Sequence, residues 1–175
     1  MNKINIILLF CGSFMFGQTA LQVKECSNYL GKNFFEFEKA LKLEPQDVSS
    51  KFGLEKRMYK REDIIYSLEE VNDDDSIGEI IIAKMPEEKN NEIWYNISKD
   101  FNSDPLYKFS GVLLRIDGSD YVAKDFSYKD LISYLRKDND PSKLTYQIKY
   151  IKSDTEYNIS MMGNSLYISL QKIKK

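Results

Sequence analysis

From residue 63 onward, short runs of apolar residues alternate with polar residues and are separated by turn residues. The pattern is clearest near the end of the chain, in the runs 144–151, 157–161 and 166–170. Because apolar residues at every second position place one face of a strand in a core, we interpret each run as a strand. The sequence therefore predicts an α+β fold built mainly on an antiparallel sheet, either a small sheet or a partly open barrel.

The residues before these three strands follow the same rules. Apolar and β-branched runs predict further strands at 64–68, 77–85, 93–97, 112–116 and 121–123. Polar residues predict a turn at 87–91. Ser127 is a favourable N-cap, and Asp130 follows three residues later, so a helix is expected to begin there. One helix is thus expected to flank the sheet.

A different pattern covers residues 21–43, where apolar side chains recur every three or four positions. The members of this stripe are Val23, Cys26, Tyr29, Leu30, Phe34, Phe37 and Leu41. The spacing predicts one amphipathic helix that ends before Pro45 and packs onto the sheet or onto a second copy. Residues 45–62 are polar and highly charged, which predicts a connector. The chain is therefore divided into an N-terminal helix and connector, 21–62, and a β-rich domain, 63–175.

The first twenty residues carry one positive charge at Lys3, a short apolar run at 4–10 and small residues beyond it. This is the pattern of a secretory signal peptide, and the run is shorter than a membrane span requires. Residues 1–20 are therefore expected to be removed from a secreted or periplasmic protein. The mature chain keeps one cysteine, Cys26, which is either a buried thiol or a site of pairing between chains.

Composition limits the chemistry that the chain can perform. With 25 basic and 27 acidic residues and no histidine, it lacks the positive charge of a general nucleic-acid binder and the commonest general base. Cys26 has no histidine to activate it. The acidic run 73–75 resembles a calcium loop, but such a loop needs an oxygen ligand where Ile77 stands. We expect no catalytic residue, no metal site and no cofactor, and hence no enzyme.

A resemblance to a known family covers the second half of the chain. Residues 110–118 read Ser-Gly-Val-Leu-Leu-Arg-Ile-Asp-Gly, and residues 127–136 read Ser-Tyr-Lys-Asp-Leu-Ile-Ser-Tyr-Leu-Arg. A strand followed after eight residues by such a helix, and then by a strand at 144–150, resembles a PDZ domain. The tail 154–160 looks like the extra hairpin of PDZ domains in bacterial exported proteases. The resemblance implies a PDZ-like sheet with one flanking helix over about 63–161.

The resemblance also implies a peptide-binding groove between a sheet edge and this helix. An extended peptide would add as another strand along the edge 77–82, near the position of the carboxylate-binding loop of the family. The implied site residues are Ile77, Gly78, Glu79 and Ile80 on the strand, and Tyr128, Ile132 and Leu135 on the helix. Because Glu79 and the run 73–75 are acidic, the expected ligand is basic or internal rather than a bare C-terminus. Ile132 and Leu135 fit an ordinary core equally well, and Tyr128 an ordinary surface.

These patterns lead to one functional expectation and one alternative. The expectation is an exported, non-catalytic module that binds a peptide or protein segment by β-strand addition. The alternative is a secreted structural or interaction protein of an unrelated α+β fold without a peptide groove. The expected partner is a peptide or protein segment, with neither nucleic acid nor an integral membrane segment after signal removal, and a homodimer remains open.

Overall fold

A computed structural model describes residues 22–116, 122–123, 125–137 and 143–173, with the backbone alone at 122–123. The predicted signal peptide, 1–20, lies outside the described residues. The fold is α+β, as predicted. After a helical segment at residues 22–26, its helices are α1 (Phe34–Leu41), α2 (Asn90–Ser103) and α3 (Tyr128–Leu135). Its strands are β1 (Asp47–Lys51), β2 (Leu54–Arg61), β3 (Ile64–Glu70), β4 (Ile77–Lys84), β5 (Lys108–Ile116), β6 (Val122–Ala123), β7 (Leu144–Lys152), β8 (Thr155–Met162) and β9 (Ser165–Lys172).

All nine strands of the described residues belong to one sheet, in the order β1-β2-β3-β4-β9-β8-β7-β5-β6. Every pair of neighbours is antiparallel. Two connections cross the sheet: α2 links β4 to β5 beyond three intervening strands, and α3 links β6 to β7 across β5. Helices that serve as such crossovers must lie against a face of the sheet, so the topology itself places α2 and α3 beside the core.

The core lies along one face of the sheet, as the two-residue period requires. One row of paired residues runs from β2 to β5. Its members are all buried and are Tyr59, Tyr66, Ile82, Ile168, Ile159, Ile148 and Val112. The opposite face carries half-buried polar and charged residues, among them the ion pair of Lys56 with Glu69 and that of Lys149 with Glu156. The described helices therefore leave this second face uncovered.

The helices cover the apolar face. The Trp94 indole of α2 stacks edge-on against Tyr146 of β7 and donates a hydrogen bond to the Ile159 carbonyl at 3.1 Å. Phe37 of α1 is fully buried, and its ring centroid lies 5.4 Å from that of Tyr59 and 5.9 Å from that of Tyr66. No helix in the described part of the chain is long and apolar enough to cross a membrane.

The predicted helix 21–43 is interrupted in the structure. Residues 22–26 are helical and continue as a 3₁₀ turn, Ser27–Tyr29, whereas α1 begins only at Phe34. Gly31 lies between them with φ of 82°, a left-handed conformation that ends a helix, and the Asn33 side chain caps the new one. The apolar stripe is nevertheless buried against the sheet of the same chain, at Val23, Cys26, Leu30, Phe34 and Phe37.

Two further predictions are wrong. Residues 45–62, predicted to be a connector, contain the β1–β2 hairpin that extends the sheet. The charges that suggested a connector stand on exposed or half-buried strand positions, where several form ion pairs, as Arg57 of β2 does with Glu38 of α1. The predicted strand at 93–97 lies inside helix α2, which begins at Asn90 and so also takes the last two residues of the predicted turn at 87–91. Its buried positions, Asn90, Ile93, Trp94, Ile97, Ser98 and Phe101, recur at helical spacing.

Candidate functional site

The predicted edge at 77–82 is not open, because β4 lies inside the sheet. It pairs with β3 on one side and with β9 on the other. Ile77 precedes the residues that pair with β9, and its backbone amide and carbonyl are hydrogen-bonded to the N-terminal segment of the same chain. The Gly31 amide donates to the Ile77 carbonyl at 2.8 Å, and the Ile77 amide donates to the Lys32 carbonyl at 2.8 Å. The prediction that a peptide adds to β4 is therefore wrong, since β4 already has a partner on each side.

The four predicted site residues on β4 serve the fold. Ile77 and Ile80 are fully buried in the core. Gly78 is required by close approach: a Cβ added there would lie 2.4 Å from Cγ2 of Val71. Glu79 stands on the uncovered face, where burial raises the pKa of its carboxyl and the neighbouring Glu69 raises it further. None of these side chains reaches a groove beside α3.

Helix α3 lies elsewhere, against β5 rather than β4. Three strands, β9, β8 and β7, separate β4 from β5 in the sheet. The predicted helix residues Ile132 and Leu135 do line a groove, but its opposite wall is α2. Of the seven predicted site residues, the structure therefore brings only Ile132 and Leu135 together in this groove.

The groove between α2 and α3 has a volume of about 300 Å³, at the lower end of small-ligand sites. Its lining residues are Asn91, Trp94, Tyr95, Ile132, Leu135, Arg136 and Tyr146. Trp94 and Tyr146 form the floor and are 1% and 2% exposed. Leu135 and Tyr95 are half-buried and supply the accessible apolar surface on the two walls. The groove is thus shallow, apolar and suited to one large side chain.

The wall formed by α2 is fixed at its first residue. The buried Asn90 side chain donates hydrogen bonds to the Met85 carbonyl at 2.7 Å and to the Asn164 carbonyl at 2.8 Å. Asn164 belongs to the β8–β9 turn, so these bonds tie the helix start to the sheet. The next residue, Asn91, accepts a hydrogen bond from the Tyr146 hydroxyl at 2.7 Å. This bond fixes the floor of the groove relative to the wall.

The wall formed by α3 begins with a capping box, as predicted from Ser127 and Asp130. The Ser127 hydroxyl accepts from the Asp130 amide, and the Asp130 carboxylate accepts from the Ser127 amide. The two reciprocal bonds satisfy amides that the helix itself leaves unpaired. The Ser127 hydroxyl and the Ser127 amide both donate to the Asp130 carboxylate and lower the pKa of that carboxyl, because they stabilise its charged form. Since the box fixes the start of α3, it sets the angle at which Ile132 and Leu135 face α2.

One end of the groove is polar. Arg136, the only charged residue in the lining, donates a hydrogen bond to the Tyr95 hydroxyl at 3.1 Å, and its guanidinium lies 5.9 Å from the centre of that ring. Within the described residues Arg136 has no acidic partner. Tyr128 stands nearby and is half-buried. Burial raises the pKa of its phenol, whereas hydrogen bonding with Ser98 and the Arg136 charge lower it.

Other candidate chemistry is absent from the described residues. Cys26 is 4% exposed, and burial raises the pKa of its thiol to about 12, so it is not a reactive thiolate at neutral pH. The described part of the chain holds no group of three acidic, cysteine or histidine side chains that could bind a metal ion. What the groove offers to a ligand is apolar contact and one cation, Arg136.

Sequence reasoning missed five residues of the groove, namely Asn91, Trp94, Tyr95, Arg136 and Tyr146. Three of them stand on α2, where five consecutive residues rich in apolar side chains were interpreted as a strand. The spacing of Asn90, Trp94, Ile97 and Phe101 extends the pattern to eleven or more residues and is the signal that would have identified the helix.

Comparison with known proteins gives little further guidance. Neither a protein-family model nor a curated protein sequence matches this chain. A solved structure of a cysteine-rich secretory protein from Staphylococcus aureus subsp. aureus Mu50 is similar over 83% of this chain and 44% of its own, with 11% sequence identity and a TM-score of 0.43. The chain thus covers less than half the length of that protein.

Proposed function

We propose that this chain is an exported, non-catalytic module that binds a peptide or protein segment in the groove between α2 and α3. The observation that carries the proposal is the groove itself, with half-buried apolar walls over a rigid aromatic floor. Leu135 and Tyr95 give accessible apolar surface, and the hydrogen bond from Tyr146 to Asn91 holds the shape in place. A preformed apolar site loses little conformational entropy on binding.

One feature of the sequence and one feature of the structure support this proposal. Export rests on the signal-peptide pattern of residues 1–20. The order of elements from β5 to β7 is strand, short strand, helix and strand. That order agrees with the PDZ resemblance, which we retain as a proposal for residues 108–152 alone. Strand addition to β4 is no part of the proposal, since β4 is paired.

The charge of the groove determines what kind of segment we propose. The earlier expectation of a basic ligand rested on acidic groups beside β4, and those groups do not line this groove. Arg136 is the one charged side chain that does. We therefore propose a segment with one large apolar side chain and a hydrogen-bond acceptor beside it. Because a side-chain carboxylate, a backbone carbonyl and a terminal carboxylate all accept from a guanidinium, the position of the segment within its protein is left to the test.

The test uses a peptide library displayed with free and with amidated C-termini. Leu135→Arg places a charge on the accessible wall of the groove, where the half-buried position lets the new side chain reach solvent. Leu106→Arg is the matched control, because Leu106 is 64% exposed in the turn after α2. We expect the wild type and Leu106→Arg to capture the same peptides and Leu135→Arg to lose them. Equal capture by all three proteins would contradict peptide binding in the groove and would favour an interaction protein that has no peptide groove.

A further inference from the structure

Strand β1 forms one edge of the sheet. Within the part of the chain that the structure describes it pairs only with β2, and all five of its residues are exposed. Val48 is 55% exposed, and Phe52 in the following turn is 93% exposed. An edge of this kind offers a row of unpaired amides and carbonyls to another chain.

The hairpin turn determines which of those groups point outward. Phe52 and Gly53 have φ of 56° and 85°, the left-handed pair typical of a two-residue type I′ turn. The residues that flank such a turn, here Lys51 and Leu54, exchange hydrogen bonds across the hairpin. Because the pattern alternates along an antiparallel pair, Ser49 and Asp47 also direct their backbone groups toward β2. Val48 and Ser50 therefore direct theirs away from the sheet.

The sequence of β1, Asp47-Val48-Ser49-Ser50-Lys51, is complementary to itself. When two copies lie antiparallel with Ser49 opposite Ser49, Val48 of each lies opposite Ser50 of the other. These are the two residues whose backbone groups point outward, so each pair forms two hydrogen bonds. In the same register, Asp47 of each copy lies opposite Lys51 of the second copy. In this one register, the outward backbone groups form hydrogen bonds and the opposite charges face each other.

We propose that β1 is a homodimer interface, in which two copies pair antiparallel about Ser49 and join their sheets into one. This surface is separate from the groove of the proposed function. The pairing also places Val48 of one copy diagonal to Val48 of the other, which covers part of the exposed apolar area. An edge that is protected against pairing carries like charges, which repel a second copy. Here Asp47 and Lys51 lie two residues to either side of Ser49 and carry opposite charges, so they attract a second copy.

The short edge implies a weak dimer, so the experiment measures the dissociation constant by sedimentation velocity over about 1 µM to about 1 mM. Asp47→Lys places Lys opposite Lys, and Lys51→Asp places Asp opposite Asp. Each single variant should weaken the dimer at least about tenfold. The double variant restores opposite charges in the reversed order and should recover the wild-type constant. An equimolar mixture of the two single variants should form a heterodimer, because all its charge pairs are again opposite.

The variants leave the monomer intact. Among the described residues Asp47 has no ion-pair partner, and the Lys51 ammonium lies 5.5 Å from the Phe52 ring at the exposed tip of the hairpin. Ser50→Pro is an independent variant, since it removes one outward amide from an edge position where proline is tolerated, and it should abolish the dimer. A wild type that stays monomeric over the whole range overturns the proposal. A double variant as weak as either single variant also overturns it, because a dimer elsewhere on the surface would not respond to the order of these charges.

Discussion

Replacing Phe37 by alanine tests whether the N-terminal segment and the sheet form one cooperative core. The Phe37 ring is fully buried and contacts Tyr59 and Tyr66 of the sheet as well as Tyr29, whose centroid lies 5.4 Å away. Replacing a buried phenylalanine by alanine costs about 3–5 kcal/mol, through lost transfer free energy and the cavity that remains. We expect a loss of free energy of unfolding in that range, a large share of the ~5–15 kcal/mol that a typical domain has.

The matched control is Phe35→Ala on the same helix. Phe35 is 66% exposed and forms no core contact, so its loss should change the free energy of unfolding by less than about 0.5 kcal/mol. Both variants exchange phenylalanine for alanine within one turn of α1. The change in helix propensity is the same in both variants. The difference between their losses of free energy of unfolding therefore measures the effect of burial alone.

Urea unfolding followed by two probes gives the measurement. Far-ultraviolet circular dichroism reports the whole fold, and the fluorescence of Trp94 reports α2 and the far half of the sheet. If the core is one unit, both transitions move together to lower urea in Phe37→Ala. A loss below about 1 kcal/mol, or an unmoved Trp94 transition, would show that the N-terminal segment adds little to the stability of the sheet.

Two further predictions concern β4. Gly78→Ala should lower the free energy of unfolding by about 1–3 kcal/mol, because its Cβ would overlap the side chain of Val71, and adding Val71→Ala should recover part of the loss in a denaturation series. Glu79→Gln should raise the free energy of unfolding at pH 7 by about 0.2–1 kcal/mol, because the carboxylate faces Glu69 directly across the strands. Since the folded state raises the pKa of Glu79, the gain should begin to shrink as the pH falls below that raised pKa and should vanish below the ordinary pKa of a glutamate, and a gain that persists there would contradict the charge argument.

Elements with a local signature were predictable from the sequence. The alternation in 144–151, 157–161 and 166–170 identified β7, β8 and β9, and Ser127 with Asp130 identified the start of α3. Their signals lie within a few residues of chain, because strand period and capping are local properties.

Sheet order was not predictable in the same way. The run 77–85 was correctly identified as a strand, but its place between β3 and β9 depends on partners far along the chain. Placing β4 at an edge therefore predicted strand addition at a strand that is already paired on both sides. Ile132 and Leu135 were placed in the site, whereas the α2 wall that faces them was missed because the helix had been interpreted as a strand.

The position of β9 has a consequence for how the chain reaches this structure. The last described strand pairs with β4 in the interior of the sheet, so Ile82 and Ile80 meet Ile168 and Leu170 only after α2 and the four strands β5 to β8 between them have been synthesised. Such distant pairing makes folding slow, because the loop entropy must be overcome before the contacts form. Until then, β4 presents an open apolar edge to other chains. The nascent protein is therefore most exposed to aggregation in the interval before β9 pairs with β4.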